Sequence, residues 1–143
     1  MTNHEIDLFK GYGKITFDLN KEAVVKLLGK PDEESVIDEK DLIYADVWTY
    51  LDGLITIFFE YDPEPYMANI EISDHKATLF GKNIIGASDT EIIELMRNNN
   101  YKTYDAESEP WGEKSISFGN GLVDFYFENQ KLVSVCLSRP TVC

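Results

Sequence analysis

Carboxylates are the reactive groups this sequence has most of: 26 Asp and Glu stand against 13 Lys and Arg and two His. Paired carboxylates do general acid and base work when burial holds one of them protonated, and Glu60 with Glu128 or Asp124 form such pairs on paper. Their abundance empties the signal, because any fold of this chain brings some acids together. The thiols say little more. Cys136 and Cys143 have no His or second Cys at zinc spacing, and His4 and His75 are the only histidines. A bridge between the two cysteines would close only a tiny loop through Pro140, so two free thiols are expected. Gly11-Tyr12-Gly13-Lys14 lacks the following Gly and the Ser or Thr of a phosphate loop and is read as a turn. No dinucleotide fingerprint, nucleophile elbow, zinc spacing or calcium loop is present, so the expectation is no enzyme, no cofactor and no metal site.

Charge narrows the partners. A net charge of −13 repels nucleic-acid phosphate and anionic lipid and attracts basic proteins. The 143 residues, 43% of them hydrophobic, suffice for one folded domain over 1–143. The start, Met1 to Asp7, has no basic segment followed by an apolar one, and no apolar run approaches the ~20 residues of a membrane span. A cytoplasmic protein with no membrane or nucleic-acid contact is expected.

The elements that position these groups repeat. Gly53-Leu54-Ile55-Thr56-Ile57-Phe58-Phe59-Glu60 aligns with Gly121-Leu122-Val123-Asp124-Phe125-Tyr126-Phe127-Glu128 at an offset of 68 residues. The same offset pairs Val24-Val25 with Ile92-Ile93, Leu27-Leu28 with Leu95-Met96, Trp48 with Ile116 and Tyr50 with Phe118. Each unit, about 15–80 and about 84–139, reads as a short helix and then strands. Asn20 and Ser88 are the expected N-caps, and Gly29 and Asn98-Asn99-Asn100 the stops. Strands are expected near 42–51, 54–61 and 67–73, then near 101–105, 114–119, 121–128 and 131–138. Asp52-Gly53 and Asn120-Gly121 are matching hairpin turns. The fold class is therefore α+β: two tandem helix-plus-antiparallel-meander units, with the helices packed on one face of the sheet.

Strand alternation assigns faces. Ile55, Ile57 and Phe59, with Val123, Phe125 and Phe127, belong inside, as do Val133, Val135 and Leu137 on the last strand. The opposite set, Leu54, Phe58, Glu60, Leu122, Asp124, Tyr126 and Glu128, mixes aromatic and acidic residues as a protein interface does. The competing reading covers this face with the N-terminal segment through Phe9 and Tyr12. Trp111, beside Pro110 in an acidic loop, is a second candidate anchor, with a core position as its competitor. The acidic segment 32–41 is read as a solvated loop, with a partner-facing acidic patch that supplies charge complementary to a basic protein as the competing reading.

The capped helix ending in Leu28-Gly29-Lys30-Pro31-Asp32, the Trp48-Thr49-Tyr50 strand and the paired Gly-Leu strands resemble the beta-lactamase inhibitor protein fold over about 15–139. Small bacterial lipoproteins and toxin-immunity proteins built from the same tandem unit share that resemblance. It implies an open sheet face that grips a protein, although no lactamase-binding motif is present. The expected function is an acidic immunity protein that forms a heterodimer with a cognate basic toxin, a nuclease in the most concrete version, and blocks its active surface. The alternative is a small ligand-binding protein or carboxylate-dependent hydrolase with a cleft between the repeats. A homodimer formed through the same faces is a third reading.

Overall fold

Short polar turns separate short alternating segments throughout this chain, a pattern that pairs into strands wherever a partner lies within reach. The computed structural model describes residues 3–39 and 42–140. Their elements are β1 (Glu5–Asp7), β2 (Gly11–Tyr12), β3 (Ile15–Thr16), α1 (Lys21–Leu28), β4 (Glu33–Glu39), β5 (Leu42–Tyr50), β6 (Ile55–Tyr61), β7 (Pro65–Ile72), β8 (Thr78–Leu79) and β9 (Lys82–Asn83). Then follow α2 (Asp89–Asn98), β10 (Tyr104–Ser108), β11 (Glu113–Phe118), β12 (Val123–Glu128) and β13 (Lys131–Ser138). Eight strands form an antiparallel sheet in the order β10-β11-β12-β13-β7-β6-β5-β4. Five short ones form a second sheet, β3-β2-β1-β8-β9, whose β1–β8 step is parallel.

The α+β expectation is overturned. The protein is mostly β, with 48% strand and 16% helix, and it is not a pair of helix-plus-meander units whose helices roof one sheet. The two helices are eight and ten residues long and supply only Val24, Ile92 and Met96 to the buried set. Much of the remaining cover comes from the small sheet and its connections, through Ile6, Leu8, Tyr12, Ile15, Phe17 and Leu79 in the same core cluster. Strands of two residues carry no measurable period, so nothing local announces them. Tyr12 accordingly lies in the core rather than over the outer sheet face, while Phe9 stays exposed. The acidic loop is corrected too: 33–39 is the edge strand β4, and residues 40 and 41 of that segment lie outside the described residues, as does Cys143.

Local signals fared better. Asn20 accepts the Ala23 amide at 2.8 Å, and Ser88 and Glu91 form a reciprocal capping box. Register recurs at the spacing of 68: Trp48 opposes Ile57 and Tyr50 opposes Ile55, as Ile116 opposes Phe125 and Phe118 opposes Val123. Each meander also carries a bulge at the equivalent place, between Phe58 and Phe59 and between Tyr126 and Phe127. That bulge corrects one face assignment. Val133 is the extra residue on β13, so Leu132 turns inward and Val133 remains half-buried.

Candidate functional site

Three antiparallel steps separate β6 from β12, so these equivalent strands run in opposite directions. The repeats are thereby related by an approximate twofold axis normal to the sheet, between β7 and β13. Across that axis on the outer face runs a row of directly opposed residues: Ser117, Asp124, Cys136, Glu71, Thr56, Thr49 and Glu33. The flanking rows bring Phe58 beside Asn69 and Tyr126 beside Ser134. Together they line an open depression of about 420 Å³ formed by Phe58, Asn69, Glu71, Asp124, Tyr126, Ser134 and Cys136.

Beside it, sharing Tyr126 and Ser134, lies a second depression of about 330 Å³ that contains Glu107, Glu109, Glu113, Glu128 and Lys114. Glu113 and Glu128 stand directly opposite each other on β11 and β12, an unfavourable like-charge pair, and Lys131 of β13 stands opposite Glu128 on its other side. Lys114 offers little relief, because its ammonium donates to Asp89 at 2.7 Å. The salt bridges among the described residues join Lys114 to Asp89, Lys21 to Asp46 and His4 to Asp74, and none reaches these four glutamates.

Burial pushes the Cys136 thiol up to about 12, helped by the charges of Glu71 and Asp124, while the Asn69 side chain opposes the shift. Tyr126 is also held above the ordinary phenol range, by burial and then by Asp124, Cys136 and Glu71. Both groups therefore stay protonated near neutral pH, as donors rather than nucleophiles.

Of the residues expected on this face, Phe58, Asp124 and Tyr126 meet in one depression and Glu128 joins Tyr126 in the next. Leu54 and Leu122 do not meet. They lie half-buried at opposite ends of the face, where their carbonyls accept from Ser73 at 2.9 Å and Ser138 at 3.0 Å. Glu60 and Glu128 likewise end up at opposite ends, each four residues beyond the central row on oppositely directed strands, so the acid–base pair proposed from sequence does not form. Trp111, 69% exposed in the β10–β11 turn, is not a core residue. Sequence reasoning missed Asn69 and Glu71, which the parity of β7 places outward. Among the described residues no group of three His, Cys, Asp or Glu gathers as a metal site, and no helix is long and apolar enough to cross a membrane.

No family model and no curated protein matches this chain. Among solved structures, it is similar to a DUF4309 family protein, YjgB, from Bacillus subtilis, at 15% identity and a TM-score of 0.51, over 90% of this chain and 84% of that one. A second likeness, to an extracellular protein containing an SCP domain from Bacillus anthracis, has 10% identity and a TM-score of 0.49, over 84% of this chain and 43% of the other. The first is a likeness of fold alone. Neither structure speaks to a beta-lactamase inhibitor or toxin-immunity relationship.

Proposed function

We propose that this chain is a protein-binding module whose outer sheet face engages a basic protein, in its most specific form a cytoplasmic immunity protein that covers the active or substrate-binding surface of a cognate basic toxin, a nuclease. The carrying observation is the set of four glutamates, none in a salt bridge among the described residues although Lys131 stands opposite Glu128, beside the exposed Tyr126 ring. A Lys or Arg from a partner would relieve the Glu113–Glu128 opposition, and Tyr126 would be the aromatic anchor of the contact. Nuclease surfaces are positive because they bind phosphate, so an acidic protein gains a fast, steered encounter with the patch it blocks. The alternative of a ligand-binding or hydrolytic cleft has no specific observation in its favour.

The test is calorimetric. A basic protein retained from the native host at low salt is purified and titrated against the chain and its Y126A and E113Q/E128Q variants. The expected result is a one-to-one complex that Y126A weakens at least about tenfold and that rising salt weakens further. A partner that binds Y126A as tightly as the parent, or no basic partner at all, overturns the reading.

A further inference from the structure

The outer edge of β4 is the longer of the two edges of the large sheet. Among the described residues β4 has β5 as its one neighbour, so the N–H and C=O groups on its far side have no strand partner there. Its described residues from Glu33 to Asp38 are all exposed, with Val36 at 52% and Ile37 at 44%. These two apolar side chains point to opposite faces, so an added strand would find an apolar neighbour on either side. Charge decides which strand fits. Antiparallel pairing of two β4 strands centred on Val36 sets Glu34 against Asp38, and a shift by one residue sets Glu33 against Asp38. Self-pairing is thus opposed in both frames, while a basic strand is favoured in both.

We propose that β4 accepts an extended basic segment of a partner protein as a ninth strand, with Lys or Arg opposite Glu33, Glu34 and Asp38 and apolar residues opposite Val36 and Ile37. This rests on the reading of the chain as a binder of basic proteins and assigns the contact edge. Thr49 joins Glu33 to the central row of the outer face, so one partner can hold the edge and that face together. The other edge strand, β10, is shorter, at five residues, and serves as an internal comparison.

The probe is a blocked peptide, Lys-Val-Val-Ser-Lys-Arg, followed by amide hydrogen exchange on the full chain at low ionic strength. The peptide is expected to slow exchange at alternate β4 residues by about tenfold, with less effect at β10. The peptide Lys-Val-Pro-Ser-Lys-Arg, equal in charge but lacking a strand donor, is expected to give no such protection. The E34K/D38K chain is expected to lose the effect. Equal protection by the proline peptide, absence of protection, or β4 protection that grows with protein concentration without peptide each overturns the edge assignment. Native-partner binding that depends on Tyr126 while β4 stays unprotected separates failure of this inference from failure of the proposed function.

Discussion

Cys136 shows how far a side chain's chemistry departs from its type. Its thiol, raised to about 12 by burial and by flanking Glu71 and Asp124, presents almost no thiolate near neutrality. In a C143S background, alkylation at about pH 8 is expected to run at least a hundredfold slower than for an ordinary cysteine, with E71Q/D124N recovering only part because burial is the larger cause. Mass-spectrometric labelling rates measure both. The hairpin turns hold a second contrast. Leu51 and Gly119 occupy equivalent positions with φ of 52° and 65°, and a Cβ on Gly119 would lie 2.9 Å from that of Leu122. G119A is expected to cost about 1–2 kcal/mol, whereas L51G should stabilise by about 0.5 kcal/mol as relieved left-handed strain exceeds the added freedom of the unfolded chain. Urea midpoints read both changes.

Among the described residues one salt bridge joins each helix to a strand of the large sheet, and the polarity reverses between repeats. Lys21, the first residue of α1, meets Asp46 of β5, while Asp89, the first residue of α2, meets Lys114 of β11. Both partners keep the offset of 68. Lys21 also lies over the Trp48, Phe59 and Tyr61 rings at 5.2 to 5.6 Å, and Tyr61 donates to Asp46. Burial would raise the Asp46 carboxyl, yet hydrogen bonds from Lys21 and Tyr61 together hold it below the usual range. The hydrogen bond from Lys114 is the main cause that lowers Asp89. Carboxyls depressed in the folded state lend stability that is present above the unfolded value, about pH 4, and is lost as pH falls through the folded one. D46N and D89N should each flatten the loss of stability below about pH 4, by about 1 kcal/mol or less given their exposure, in chemical denaturation at stepped pH. The swap D89K/K114D should cost less than either single reversal, because opposite charges still face each other.

For the whole molecule, net charge governs both stability and contact. A charge of −13 on 143 residues repels itself, so added sodium chloride should raise the thermal midpoint while it weakens capture of a basic partner. A midpoint that falls with salt would mean that attractive pairs dominate instead. The residues that made the sheet legible in advance were those with a local period. Ile55, Ile57 and Phe59 alternate strictly, and so do Val123, Phe125 and Phe127; all six are buried. Asn20 and Ser88 cap their helices through contacts no more than three residues away. Beyond that range legibility failed. Strands β1, β2, β3, β8 and β9 are two or three residues long, and β4 is acidic and exposed at nearly every position, so no alternation betrays them. Counting helix signals without these strands produced the wrong fold class.

By itself, the sequence determined the parity of β6 and β12, the helix caps and the sign of the surface, properties set within a few residues or by composition, and the repeat spacing, which is read by aligning the chain with itself. Tertiary structure alone decided that β7 pairs with β13, and that one pairing reverses the second repeat against the first. It carries Glu60 away from Glu128, gathers Phe58, Tyr126, Glu71, Asp124 and Cys136 in one depression, and leaves β4 as an open acidic edge. Direction across a sheet depends on backbone hydrogen bonds between segments more than 60 residues apart in sequence, and those bonds are blind to side-chain identity.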